Sequence, residues 1–293
     1  MNNLSKGFRI FWIQLKREGL QLRVLSLFII IGIFIYSYLE PVTVFSNTVN
    51  IRIAPWAFSH LTNDYICQIV FMSGAVYLFC TAPFQGENYF YTIYRSGRMW
   101  WQLGNIFYII FMSFAYVGFI LITSMVSLFP HIFFSNDWGK IWGTLAQTNA
   151  AAQFQIPFIV DSYMIGVFSP AKATTISFLL EFACVIWLGL IIYIFNFISH
   201  KPVGVMIGAF FVLLDVVISN SFSAKTFLIS PVTLTQLKAL SGINVQYGLT
   251  LRYAALFFGI TLICLIGICL TLGTRKQKAG RKGKINGSIH TSD

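Results

Sequence analysis

The sequence predicts an all-α polytopic membrane protein: six transmembrane helices, an N-terminal interfacial amphipathic helix and re-entrant outer helices. Hydrophobic residues make up 57% of its 293 residues and charged residues only 10%, against about 25% charged residues in ordinary soluble domains. So few charges cannot cover the surface of a soluble fold of this size. Composition therefore excludes disorder, a disulfide scaffold and a nucleic-acid partner. The net charge of +11 is better explained by membrane topology and contact with membrane lipids.

Residues 1–19 have the pattern of a basic amphipathic helix on the cytoplasmic membrane surface. The apolar side of a helical wheel holds Phe8, Phe11, Trp12, Leu15, Gly19 and Leu22. The remainder of the wheel holds Arg9, Gln14, Lys16, Arg17 and Gln21. This pattern predicts a helix that lies along the membrane with its aromatic side chains in lipid. A disordered basic leader is the alternative.

Within residues 20–273, six apolar runs are candidates to cross a hydrocarbon core that needs about 20 residues. The runs are 20–39, 65–84, 104–129, 174–199, 202–219 and 253–273. The first should stop at Glu40-Pro41, because proline cannot continue the hydrogen-bond ladder of a helix. Residues 274–293 lose this periodicity and are predicted to form a flexible basic cytoplasmic tail.

The distribution of positive charge predicts the orientation. With the N-terminus inside, 14 of the 20 Lys and Arg residues fall in cytoplasmic segments. Positive charge is retained on the cytoplasmic side of membrane proteins, so both termini are expected in the cytoplasm.

No catalytic or nucleotide-binding motif is recognisable, so we expect no enzyme activity and no cofactor in this chain. ATP-driven work would need a separate subunit. His60 and Asp64 are four residues apart and His131 lies in another outer segment. They are too few and too poorly spaced to indicate a metal site, and we expect ordinary interfacial polar residues.

Two acids, Glu181 and Asp215, lie inside apolar runs. A carboxylate is costly in lipid and usually faces a bundle interior, a partner or water. Both acids fall in the outer half of their predicted spans, where they could share one polar cavity. They are therefore candidates for the substrate path or for gating, and the alternative is a hydrogen-bonded packing role.

The segment between the second and third runs is rich in aromatic and charged residues. Glu87 near its start and Arg95 near its end suit a short helix with a complemented dipole, and Gly97 should end it. Trp100 and Trp101 are predicted to anchor the next span at the interface. An exposed aromatic helix of this kind indicates a docking surface for another protein, and lipid anchoring alone is the alternative.

Two long outer segments are too apolar for free loops. Residues 220–252 are interrupted by Ser230-Pro231, which predicts a re-entrant pair of short helices that dips into the outer leaflet. Residues 130–173 are predicted to be similar.

This layout resembles the type-2 exporter class of ABC permeases, in particular the bacterial members whose ATPase is a separate subunit. The resemblance implies a permease in the bacterial plasma membrane that acts as a homodimer or as a heterodimer with a related permease. It implies that residues 86–95 form the coupling helix that receives the ABC ATPase subunit. The implied ATPase-coupling residues are Gly86, Glu87, Tyr91, Arg95 and Arg98. The long segment 130–173 departs from the pattern of the class.

Two other functions remain open at this stage. A membrane-embedded lipid-modifying enzyme or a proton-coupled secondary carrier would both use Glu181 and Asp215. The resemblance implies a hydrophobic or amphipathic substrate for an exporter, without distinguishing a lipid from a peptide, a drug or a polysaccharide.

Overall fold

A computed structural model describes residues 3–86, 89–221, 224–240 and 248–289 of the chain. Within these residues the elements are helices, and an isolated parallel bridge joins Ile53 to Ile132. In the same residues, four helices are long and apolar enough to cross a membrane: Leu22–Val49, Arg98–Val126, Pro170–Ser199 and Leu251–Leu272. The prediction of an all-α protein with membrane-spanning helices is confirmed at this level. The count of six spans remains a prediction, because Tyr65–Phe79 and Val203–Ile218 are shorter apolar helices.

The first two helices are α1 (Asn3–Glu18) and α2 (Leu22–Val49). The predicted stop at Glu40-Pro41 was wrong, because Pro41 lies inside α2. The buried positions Leu39, Val42 and Phe45 continue at helical spacing across the proline. Packing of this face therefore continues past Pro41, as is common in membrane helices whose neighbours compensate for a lost hydrogen bond.

Two further helices, α3 (Ala57–Leu61) and α4 (Tyr65–Phe79), follow. Asp64 caps α4, and its side chain accepts hydrogen bonds from the backbone N–H groups of Ile66 and Cys67, both at 3.1 Å. The Tyr38 hydroxyl donates to the same carboxylate at 2.8 Å. Asp64 therefore has a structural role that joins α2 to the start of α4.

Helices α5 (Tyr89–Ser96) and α6 (Arg98–Val126) meet at Gly97. Gly97 has a φ of +86°, a left-handed conformation that favours glycine. The prediction that Gly97 ends the short helix is confirmed. Helix α5 thus projects from the start of α6 as a separate element.

A layer of short helices, α7 (Gly139–Gln147), α8 (Ala150–Gln153) and α9 (Ser162–Val167), covers the opposite end of the molecule. Three indole N–H groups each donate to a backbone carbonyl at 2.9 Å: Trp56 to Ser135, Trp138 to Phe168 and Trp142 to Ala54. Segment 130–173 is therefore a packed helical cap, and its re-entrant character remains a prediction.

Helix α10 (Pro170–Ser199) forms the centre of the bundle and packs against α4 and α6. A Cβ at Gly189 would lie 2.8 Å from Ile109 Cγ2 and 2.9 Å from Phe79 Cδ2, so the glycine permits close packing of three helices. Helix α11 (Val203–Ser221), two 3₁₀ turns (Ala224–Ile229 and Thr233–Thr235) and α12 (Leu251–Ile289) complete the described elements.

The predicted outer pair over 220–252 is described only in part, because residues 222–223 and 241–247 lie outside the described residues. Its two described pieces are the 3₁₀ turns. Helix α12 includes 274–289, and the prediction that 274–293 form a flexible basic cytoplasmic tail stays a prediction. The helix can extend through these residues because they contain no proline and because their six Lys and Arg side chains are good helix formers.

The orientation of the bundle is testable by cysteine accessibility. In a background without Cys264, which is exposed, Ser96→Cys should react from the cytoplasmic side. Asn136→Cys, at the opposite end of the molecule, should react only from the outside. The physical reason is the retention of positive charge inside. Reaction of both residues from the same side would contradict the topology.

Candidate functional sites

The first site is the exposed surface of α5, at the end of the bundle that carries α1 and that the charge pattern predicts to be cytoplasmic (the inner end). Three aromatic side chains form this α5 ridge: Phe90 is 81% exposed, Tyr91 62% and Tyr94 91%. Phe90 and Tyr94 are four residues apart and share one face of the helix. Three large aromatic side chains in water are costly, and such a patch is typical of a surface that binds a partner.

The inward side of α5 is fixed by aromatic packing. The ring of Tyr89 contacts the ring of Trp101 edge to face, with 4.9 Å between the centroids. Trp101 is only 2% exposed, so the prediction that it anchors the next span at the interface was wrong. Its indole instead packs between α5 and α10, near Tyr193 and Phe197.

The structure places the predicted coupling residues as follows. Arg95 Nη1 donates to the Tyr91 hydroxyl at 3.0 Å, and its guanidinium lies 5.5 Å from the centre of the same ring. Arg98 lines a recess of about 320 Å³ between α5 and the ends of α10 and α12. The Arg17 guanidinium lies against Gly86, so a side chain at this position would require Arg17 to move. Glu87 lies outside the described residues.

A buried polar network at the inner end joins α1 to α6 and α10. Gln14 Nε2 donates to Asn105 Oδ1 at 2.9 Å and to the carbonyl of Phe84 at 3.3 Å. Asn105 Nδ2 in turn donates to the Tyr193 hydroxyl at 3.2 Å, and that hydroxyl donates to Gln102. We call these four side chains the Gln14 network. All four are buried.

The wheel placed Gln14 on the polar, outward side of α1, and this was wrong: its side chain is only 3% exposed. Arg17 also turns inward, where Nη2 donates to Gln14 Oε1 at 2.7 Å and to the Phe84 carbonyl. The sequence held one overlooked signal, which is Asn105 inside an apolar run. A buried amide needs a polar partner, and that partner is Gln14.

Gln14→Ala is expected to destabilise the protein by about 1–3 kcal/mol, because Asn105 and Arg17 would lose a buried partner. The free energy of unfolding in mixed micelles measures this effect. Gln21→Ala is the matched control, since that side chain makes no capping hydrogen bond and should change stability by less than about 0.5 kcal/mol. Equal effects of the two substitutions would contradict the role of the network.

The second site is a buried acid cluster at the other end of α10. Glu181 is 3% exposed and accepts a hydrogen bond from Gln68 of α4. Asp215 of α11 is fully buried and accepts from the Thr233 hydroxyl and, at 3.2 Å, from Gln236 Nε2. The two acids, predicted to lie at similar depth, are thus both inside the bundle.

Both acids meet the same stretch of chain, residues 230–240, which we call the outer plug. Every side chain in it except Lys238 is buried. Thr233 and Gln236 donate to Asp215. Thr235 lies near Glu181, but its hydroxyl donates to the Val232 carbonyl at 2.8 Å. The backbone N–H of Lys238 donates to Asn63 Oδ1 at 3.0 Å. Asp215 therefore holds the plug against α11, and the Cys184 thiol of α10 contacts the plug by donating to the Pro231 carbonyl at 3.8 Å.

The polar cavity that the acids were predicted to share is not open on the Glu181 side. The space between Glu181, Tyr116 and Phe71 is too small to hold a water molecule. The hydrogen bonds of both carboxylates in the described residues are to protein groups. A role in the substrate path remains a prediction, and it would require the plug to move.

His60 has no part in either site. Its ring lies between Trp138 and Trp142, with centroid distances of 4.9 Å and 4.5 Å. Burial lowers the pKa of His60 to about 3, so the imidazole is neutral at physiological pH. Within the described residues, no group of three His, Cys, Asp or Glu side chains is arranged to hold a metal ion.

Comparison with known protein families, with curated proteins and with solved structures finds no match to this chain. The class of the protein therefore rests on its own residues. It is a helical, membrane-embedded chain with an exposed aromatic helix at one end and a buried acid cluster near the other.

Proposed function

We propose that this chain is the permease subunit of an ABC exporter of the type-2 class. It acts as a dimer with separate ATPase subunits and moves a hydrophobic or amphipathic substrate across the bacterial plasma membrane. The observation that carries the proposal is α5. A short helix without a buried side chain in its described residues stands between two apolar helices, on the end of the bundle where α1 lies.

The chemistry of the α5 ridge suits a protein partner. Hot spots of protein interfaces are enriched in Trp, Tyr and Arg, which lose water when the partner covers them. Tyr94 and Phe90 are the two most exposed aromatic side chains of the ridge. Arg95, held by Tyr91, adds a positive charge beside them. A partner with an apolar, acidic-rimmed groove complements this surface.

The contacts behind α5 offer a route for movement. Tyr89 packs on Trp101, and Trp101 packs on Tyr193 of α10. Along α10, Tyr193 and Glu181 are separated by twelve residues, or about 18 Å of helix. Glu181 in turn lies beside Thr235 of the outer plug. In this account, ATP-dependent movement of the partner shifts the populations of closed and open plug through α10.

The rival functions have less support. A secondary carrier or a lipid-modifying enzyme that uses Glu181 and Asp215 needs space for a substrate or for water beside the acids. Asp215 instead accepts hydrogen bonds from Thr233 and Gln236 of the plug, Glu181 accepts one from Gln68, and the cavity that Glu181 lines with Tyr116 and Phe71 is too small for a water molecule.

Co-purification tests the proposal. The full chain, isolated from its native membrane in mild detergent, should retain a P-loop protein in stoichiometric amount, identified by mass spectrometry. The complex should hydrolyse ATP, and it should lose that activity when the P-loop lysine of the partner is replaced. Recovery of the chain without a nucleotide-binding subunit would contradict the proposal.

A further inference from the structure

A groove of about 200 Å³ separates α1 from α5 at the inner end of the bundle. Cationic side chains from both helices line this α1–α5 groove: Lys6 and Arg9 from α1, and Arg95 from α5. Ile10 and Ile13 contribute apolar lining. Two elements distant in sequence thus bring three positive charges to one small concave surface.

The positive charge of the groove is not balanced by acids in the described part of the chain. None of the described lining residues is acidic. The ion pair found in the described residues joins Arg17 to Glu18 at 2.9 Å, and neither residue lines the groove. Cations held close together repel one another, so an anion that enters the groove relieves that repulsion.

The surroundings of the groove favour a lipid as the source of that anion. On α1, Phe8 is 62% exposed, Trp12 50% and Ile13 46%. An acidic protein segment would neutralise the cations but leave these apolar side chains in water. An anionic phospholipid matches both features, because its phosphate faces cations while its acyl chains cover apolar surface.

We propose that the α1–α5 groove binds the headgroup phosphate of an anionic phospholipid, with the acyl chains against Phe8, Trp12 and Ile13. Bound in this way, the lipid joins α5 to α1 and fixes the direction in which the α5 ridge faces. The lipid site goes beyond the proposed exporter function. Lipid binding by the purified chain does not require the ATPase, so a negative result for one proposal leaves the other unaffected.

Native mass spectrometry of the purified full chain in detergent tests the site with two probes, dioleoylphosphatidylglycerol and dioleoylphosphatidylcholine. The parent chain should retain the anionic lipid in preference to the zwitterionic lipid. Lys6→Gln with Arg9→Gln should weaken phosphatidylglycerol binding by about tenfold or more, since each cation near an anionic surface contributes to binding. The charge-conserving pair Lys6→Arg with Arg9→Lys should retain it, which separates lost charge from misfolding.

The matched control removes two exposed cations at the same end of the molecule but outside the groove, Lys16→Gln with Lys201→Gln. It should change phosphatidylglycerol binding by less than about twofold if the site is local. Equal losses in both double variants, or no preference for phosphatidylglycerol, would overturn the proposal. Displacement of the lipid by excess inorganic phosphate would contradict the claim that the groove selects a phospholipid over free phosphate. Loss of an ATPase partner with unchanged lipid binding would identify the groove as a protein interface instead.

Discussion

Replacing Asp215 with leucine is expected to release the outer plug. Thr233 and Gln236 would both lose their buried acceptor, and each unsatisfied buried donor costs about 1–3 kcal/mol. At about 1.4 kcal/mol per tenfold, even one such loss should raise the population of the open plug by about tenfold. Leucine is also larger than aspartate, so overpacking at this fully buried position acts in the same direction as the lost acceptor.

The labelling rate of a cysteine in the plug measures this effect. Ser230→Cys places a thiol at a position that is fully buried in the structure, and it should react at least about ten times faster in the Asp215→Leu background. Asp137→Leu is the control, because Asp137 is an exposed acid elsewhere on the outer side. An unchanged rate in the Asp215 variant would show that the carboxylate does not hold the plug.

Milder substitutions at the same site address transport. Glu181→Gln and Asp215→Asn keep shape but replace an acceptor oxygen by an N–H donor, which faces Gln68 or Gln236 unfavourably. We expect expression to survive while substrate-stimulated ATP hydrolysis by the complex falls. Normal activity in both variants would reduce the acids to packing residues.

Truncation of the α5 ridge is the second substitution with a large expected effect. Phe90→Ala with Tyr94→Ala should weaken association with the ATPase subunit by about thirtyfold, because loss of one hot-spot side chain costs about 2 kcal/mol or more. The affinity of the purified subunits in detergent measures it. Folding should be little affected, since both side chains are more than 80% exposed and Tyr89, the ring that Phe90 contacts, is retained.

Phe133→Ala with Phe134→Ala provides a matched pair on the outer side. These two rings are 55% and 80% exposed, so the control removes comparable aromatic surface from the opposite end of the molecule. It should leave ATPase affinity unchanged. If both double variants bound the ATPase equally well, α5 would not be the docking helix.

The sequence predicted those elements that depend on neighbouring residues alone. Apolar runs of sufficient length marked the long helices, and Gly97 marked the boundary between α5 and α6 because only a left-handed conformation fits there. Pro41 misled for the opposite reason. Its local effect is to break a helix, but tertiary packing of Leu39, Val42 and Phe45 outweighs it.

The contacts within the sites were not predictable, because they join residues distant in sequence. Gln14 and Asn105 are 91 residues apart, and helical periodicity assigned Gln14 to the wrong face. Trp101 was predicted to be an interfacial anchor because tryptophan is enriched at membrane interfaces. Its contacts with Tyr89 of α5 and with Tyr193 and Phe197 of α10 bury it instead. The cost of isolated carboxylates in lipid did single out Glu181 and Asp215. Segment 220–252 was predicted to dip into the outer leaflet, but nothing in the sequence paired its Thr233 and Gln236 with Asp215.

The most direct test of the permease assignment is site-specific photo-crosslinking from the α5 ridge. A photoreactive amino acid at Tyr94 in the full complex should form a crosslink to the nucleotide-binding subunit, and the same group at Phe134 should not. A crosslink from position 94 that maps to a P-loop ATPase is the predicted result. Crosslinks from position 94 to lipid alone, in membranes where the ATPase is present, would contradict the account.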